Sequence, residues 1–187
     1  YDCIVMYDMC PTGITPEQAL EQLPDPAYSP ASRCALETAL LDLLAKQHHQ
    51  PMYRWLNPAS NPVVRVNATL GALDDKIVER AGATINQGYS TLKIKVGISD
   101  PQQEITQLRL LCDSLTETIS LRLDANRSWD MDTATAYLHQ LKGMPIESLE
   151  EPLHQPSIEA LQRLQRETDI TLALDETVAQ ISIDDLS

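Results

Sequence analysis

The chain has 187 residues, 43% of them hydrophobic and 22% charged, with a formal net charge of −13 at pH 7. The composition is globular, and an acidic surface repels phosphate backbones, so nucleic acid is not an expected partner. No apolar run approaches the ~18 residues that span a bilayer, and Tyr1 to Met6 shows no signal-peptide pattern, so a cytoplasmic protein with no membrane partner is expected.

The first residues, Cys3 to Met6, form a candidate strand, followed by a turn at Pro11-Thr12-Gly13. Pro16 to Leu23 reads as a short helix with Thr15 as its N-cap. Pro24, Pro26 and Pro30 then interrupt the chain. Ser32 to Gln47 has helical periodicity, with Leu36, Ala39, Leu40, Leu43 and Leu44 on one stripe. His48-His49 reads as its solvated end and Pro51 to Pro58 as a loop. The four cysteines, Cys3, Cys10, Cys34 and Cys112, lack zinc or redox spacing and are expected to be reduced and mostly buried.

From Val63 a rhythm sets in. Strands are expected over 64–70, 91–96, 119–123, 146–149 and 170–174. Helices are expected over 75–87, 101–115, 132–141 and 158–167, with another beginning near Ile183. Such alternation implies a parallel sheet built by crossovers, either an open doubly wound sheet or part of a barrel.

The charged residues at the strand ends favour the barrel. Lys93 and Lys95 share one face of their strand; Arg122, Asp124 and Asn126 share one face of the next. Glu150 and Asp175 end the two after that. Each acid alone reads as an ordinary helix cap. As a set, Lys95, Asp124, Glu150 and Asp175 recur at intervals of 29, 26 and 25 residues, about one βα unit of ~30. That spacing places them at one height, at the C-terminal ends of neighbouring strands, where barrel enzymes carry their chemistry. Three convergent carboxylates need a cation, and all-oxygen ligation favours Mg²⁺ or Mn²⁺. Lys95 is then the candidate base, and Lys93 the neighbouring ammonium that lowers its pKa by like-charge repulsion.

Lys93-Ile94-Lys95, Asp124-Ala125-Asn126, Glu150-Glu151-Pro152 and Asp175-Glu176-Thr177 together resemble the signature of the muconate-lactonizing-enzyme subgroup of the enolase superfamily. The resemblance runs from about Ser32 to Thr177, and Arg33 to Leu44 is similar to the helix leading from a cap domain into a barrel. It implies an α+β cap joined to a (β/α)7β barrel, with residues 1–60 the remainder of the cap and linking helix and 61–187 the first half of the catalytic barrel. It also implies that Asp124, Glu150 and Asp175 bind Mg²⁺, and that Lys95 removes the α-proton of a small-molecule carboxylate to give a metal-stabilised enediolate. Glu150 is preferred to Glu151 as ligand because the family often has Gln at the second position. Leu121 to Trp129 and Ser148 to Leu153 are most similar to the o-succinylbenzoate synthases. The implied reaction is dehydration of 2-succinyl-6-hydroxy-2,4-cyclohexadiene-1-carboxylate to o-succinylbenzoate, in menaquinone or phylloquinone biosynthesis. Asn126 and Arg122 are candidates for substrate contact or support, Arg122 equally for a structural ion pair. The family's further lysine is expected beyond Ser187, so the sequence reads as a portion of an enzyme.

The competing expectations are an N-acylamino-acid racemase, dipeptide epimerase or cycloisomerase of the same subgroup, and a non-catalytic barrel fragment. A doubly wound nucleotide-binding protein lacks a Gly-rich loop after its first strand.

Overall fold

The structure is a computed structural model that describes residues 13–23, 25 and 29–181. The chain divides into two compact units, with the boundary between Val64 and Arg65. The expected strand at Cys3 to Met6 and the helix near Ile183 lie outside the described residues.

In the first unit, α1 (Pro16–Glu21) opens with a capping box: Thr15 accepts from the Gln18 N–H, and the Gln18 side chain accepts from the Thr15 N–H. Helix α2 (Pro30–Gln47) starts two residues earlier than its periodicity suggests, because Pro30 is pre-set for the first helical position. Of its apolar stripe, Leu44 is fully buried and Leu43 is exposed. Cys34 is exposed rather than buried, since it lies off that stripe. A short helix, α3 (Met52–Leu56), forms where a loop was expected.

The second unit is a parallel sheet of five strands: β1 (Ala68–Ala72), β2 (Thr91–Lys95), β3 (Ser120–Asp124), β4 (Ile146–Glu150) and β5 (Thr171–Ala173). Between them run α4 (Ile77–Ile85), α5 (Pro101–Ser114), α6 (Met131–Gln140) and α7 (Ile158–Gln165), and the 3₁₀ turn Glu176–Gln180 follows β5. Each strand lies beside its predecessor, in the order β1-β2-β3-β4-β5. A doubly wound sheet reverses order at a switch point; a barrel does not, so this is the winding of a partial enolase-type barrel. The expected strand at 64–70 begins only at Ala68. Residues 63–67 carry strand-forming valines but have no ladder partner among the described residues, whereas Ala68 pairs with Leu92.

Side-chain alternation divides the sheet's two faces. Leu92, Ile94, Leu121, Leu123 and Leu149 are fully buried and join Ile105, Leu108 and Leu111 of α5 and Ala134, Tyr137 and Leu138 of α6 in one core. Each buried leucine or isoleucine side chain contributes about 1.5–3 kcal/mol. Lys93, Lys95, Arg122, Asp124, Ser148 and Glu150 take the other face. A bulge between Ile146 and Ser148, which pair with Leu121 and Arg122, turns Glu147 onto that charged face too. Asp100, Asp130 and Ser157 are the N-caps of α5, α6 and α7, so the helices are capped without the acids at the strand ends. Among the described residues, no helix is long and apolar enough to cross a membrane.

Candidate active site

Strand register sets the site. Lys95 pairs with Asp124, and Asp124 with Glu150, so the three stand in one row across β2, β3 and β4. Lys93 lies one inward position earlier on β2 and reaches up into the row. Its Nζ is 2.7 and 2.8 Å from the two oxygens of Glu150 and 3.0 Å from Asp124 Oδ2. Lys95 Nζ is 3.5 Å from the same Asp124 oxygen and donates to Asn126 Oδ1. The Asn126 N–H donates in turn to Asp124 Oδ1 at 3.1 Å. Asp124 is 4% exposed at its side chain, Lys93 21% and Lys95 42%, so Lys95 is the more open of the two amines.

Burial alone would pull the Lys93 ammonium down, but Glu150 and Asp124 outweigh it and hold its pKa above the usual lysine range. Burial likewise pushes the Asp124 carboxyl up, while Lys93, the Asn126 N–H and Lys95 hold it below the usual carboxylate range. Lys93 therefore does not face Lys95 as a bare like charge, as its spacing alone suggests; its charge is shared with two acids. Arg122 donates to Glu147 Oε1 at 2.7 Å and 3.1 Å and, from its third nitrogen, to Asn67 Oδ1 at 3.4 Å.

Asp175 stands elsewhere than the chain interval implies. Glu150 pairs with Ala173, so Asp175 lies two residues beyond the row and past the end of β5, with an exposed side chain. Among the described residues, no three His, Cys, Asp or Glu side chains gather closely enough to form a complete metal site. Two do converge: the Lys93 ammonium sits between Asp124 and Glu150 as a cation would, and the donor set is all oxygen. That donor chemistry fits a hard divalent ion.

Two buried carboxylates have parts that their sequence positions do not announce. Glu104 of α5, 1% exposed, accepts from the N–H groups of Gly97, Ile98 and Ser99 at 2.8–3.0 Å and so ties down the loop that leaves β2 after Lys95. Glu151, also 1% exposed, turns away from the row at φ 45° and accepts four hydrogen bonds from Arg127, Asp175 and Thr177. Burial pushes Glu151 up, but Thr177, the Asp175 N–H and Arg127 hold it below the usual range. Asn126 and Arg127 share the left-handed conformation, at φ 44° and 62°. Such backbone is sparsely populated by side-chain-bearing residues and clusters at functional sites. The acid pair Glu150-Glu151 is the only sequence signal for Glu151; Glu104 had none beyond its position in the first turn of a helix.

Residues 76–183 match the family model described as enolase C-terminal domain-like. The hydrophobic dipeptide epimerase of Enterococcus faecalis is 29% identical over 152 residues, covering 81% of this chain and 42% of that protein. The structure of a dipeptide epimerase from Enterococcus faecalis V583, complexed with Mg and the dipeptide L-Leu-L-Tyr, superposes with a TM-score of 0.76 at 28% identity, over 88% of this chain and 48% of that one. The o-succinylbenzoate synthase of Thermosynechococcus elongatus, solved with Mg in its active site, superposes with a TM-score of 0.65 at 27% identity, over 95% of this chain and 52% of that one. The chain belongs to the enolase C-terminal domain-like family and, within the enolase superfamily, to the mandelate-racemase/muconate-lactonizing group. It spans about half the length of the relatives it matches, or less.

Proposed function

We propose that this chain carries the base and most of the metal ligands of an enzyme that removes the proton next to a substrate carboxylate. The observation that carries this reading is the register row Lys95–Asp124–Glu150, an amine and two acids side by side at the C-terminal ends of adjacent parallel strands. Asp124, Glu150 and Asp175 would hold a divalent ion, Mg²⁺ or Mn²⁺. When bound, that ion offsets the negative charge that builds on the carboxylate oxygens as the α-proton leaves.

The chain's own residues do the rest. Lys95, half-open and hydrogen-bonded to Asn126, takes the α-proton in its neutral form: the C–H bond breaks and an N–H bond forms. Asn126 fixes the direction of the Lys95 amine. Lys93 serves as the counter-charge of Asp124 and Glu150. In an epimerase or racemase the proton returns from the opposite side, which needs an acid beyond these residues.

For the substrate, the racemisation or epimerisation of an N-acylated amino acid or dipeptide is the leading reading, supported by the epimerases and racemases among the relatives. Dehydration to o-succinylbenzoate is the second. Its support is the 95% coverage by the Thermosynechococcus enzyme and the run Leu121 to Trp129. In that reaction Lys95 hands its proton to the departing hydroxyl.

The test uses the full natural protein and its Lys95→Ala variant with Mg²⁺ in D₂O. Exchange of the α-hydrogen of N-succinyl amino acids or dipeptides, followed by NMR and lost in the variant, supports the first substrate reading. Appearance of o-succinylbenzoate absorbance supports the second. Full exchange or turnover by Lys95→Ala would overturn the assignment of the base.

A further inference from the structure

Sheet pairing carries β5 only as far as Ala173, whose carbonyl accepts from the Glu151 N–H at 3.0 Å. Beyond that point, among the described residues, the ladder supplies no partner for the backbone that leads into Asp175. The Glu151 side chain takes over. Its Oε1 accepts from the N–H of Asp175 and from the N–H of Thr177, both at 2.7 Å. Its Oε2 accepts from Thr177 Oγ1 at 2.5 Å and from Arg127 Nε at 3.4 Å. Arg127 Nη2 closes the group by donating to Thr177 Oγ1 at 2.8 Å and to Gln180 Oε1 at 3.1 Å. Thr177 is fully buried. One buried carboxylate thus stands in for a missing rung of the sheet and ties together the ends of β3, β4 and β5.

We propose that Glu151 is a positioning residue: its carboxylate fixes the backbone of Asp175, just past the end of β5, in the place from which the Asp175 side chain would reach a cation held by Asp124 and Glu150. The inference rests on the proposed role of Asp175 as a ligand. An oxygen acceptor at this place is what the geometry requires; the charge is secondary. A glutamine keeps Oε1 for the two N–H groups that fix the backbone and turns an amide donor toward Thr177 Oγ1, giving up only the side-chain donations from Thr177 and, at 3.4 Å, from Arg127 Nε. A leucine of similar size leaves two buried N–H groups without a partner. Aspartate keeps the charge but is one methylene too short to span both amides.

The experiment is calorimetric titration of the metal-free full natural protein with MgCl₂ and with MnCl₂, beside the variants Glu151→Gln, Glu151→Leu, Glu151→Asp and Asp124→Asn. Amide hydrogen exchange at Asp175 and Thr177 is followed in parallel. The expected result is a loss of about tenfold or more in metal affinity for Glu151→Leu and Glu151→Asp, as for groups that orient metal ligands. Faster exchange of both amides should accompany it, with Glu151→Gln close to wild type in both. Where Glu151→Leu does not fold, Glu151→Asp decides. If Asp124→Asn weakens binding while both disruptive Glu151 variants bind as wild type, the inference is overturned and the site stands. If Asp124→Asn itself binds as wild type, the metal site falls and the inference falls with it. Equal losses in Glu151→Gln and Glu151→Leu would overturn the inference in favour of a purely electrostatic role.

Discussion

Glu104 and Tyr137, on neighbouring helices, meet in a 3.2 Å hydrogen bond directly beneath the loop that follows Lys95. Burial first, and then the Glu104 carboxylate, push the Tyr137 phenol well above its ordinary range, so it remains a donor at every working pH. The carboxylate's other partners are three consecutive backbone N–H groups. The two residues are therefore unequal. Tyr137→Phe removes one donor of four and should cost about 1 kcal/mol. Glu104→Leu strands three N–H groups at once and should cost about 3 kcal/mol or more. Urea unfolding of both variants checks the order; equal losses would mean that the loop does not depend on the carboxylate.

Gly97 closes the same loop against the next strand's loop. It has φ 74°, and a Cβ built there would lie 2.6 Å from Ser128 Cβ. Ser128 donates from its hydroxyl to Ala125 O at 2.5 Å, within the turn that also carries Asn126. Gly97→Ala thus meets both a left-handed backbone and a backbone-anchored neighbour. It should destabilise the protein by about 2 kcal/mol or more and displace Asn126 from Lys95. The check is a thermal melt together with α-proton exchange. A variant with wild-type stability would show that the two loops do not touch as described.

Cys112 is a half-buried thiol on α5, and burial, followed by Asp113, raises its pKa from 9.0 to about 11. A thiol whose folded pKa is raised stabilises the fold fully below its unfolded value. That contribution is lost as pH climbs through the folded value, because the unfolded chain gives up the proton first. In a protein whose other cysteines are replaced by serine, stability should therefore fall more steeply between about pH 9 and about pH 11 than it does in Cys112→Ser, where the raised Tyr137 phenol still contributes a fall of its own. Labelling by a thiol reagent should climb across the same window. Rapid labelling near neutral pH would refute the shift.

The two lysines, Asp124 and Glu150 were legible because strand alternation and the βα interval are local properties of a sequence, and register pairing places Lys95, Asp124 and Glu150 level. Asp175 was not placed correctly by the same rule. Its 25-residue interval counts loop and strand alike, whereas height depends on where the ladder begins, and here Ala173 holds that level. The start of β1 departs from its expected place for a related reason: Val64 and Val66 have strand propensity, but a strand exists only where a neighbour pairs with it. Glu151 read as a spare acid beside a ligand, since its partners Asp175 and Thr177 are 24 and 26 residues away and no local pattern points to them.

Lys93 provides the sharpest test of the row itself. Its ammonium separates two carboxylates, at 3.0 Å from Asp124 and 2.7 Å from Glu150, and holds Asp124 in its charged form. In Lys93→Met the aliphatic stem remains while the charge is gone, so the two acids face each other with the Lys95 amine, 3.5 Å from Asp124, as their remaining nearby positive charge among the described residues. Removing one partner of a largely buried pair is strongly destabilising, here by up to about 3 kcal/mol given that Lys93 keeps some exposure. A divalent cation that binds between the same acids should return most of that loss, because it binds the folded state and not the unfolded one. The expected outcome is a lower melting temperature for Lys93→Met in chelator and a larger upward shift on adding Mg²⁺ or Mn²⁺ than wild type shows. In wild type the Lys93 ammonium already offsets the two acids, so its shift should be the smaller. A variant that melts with wild type in chelator would show that Lys93 does not balance the pair. One that melts low but ignores both metals would show that the acids do not form a cation site.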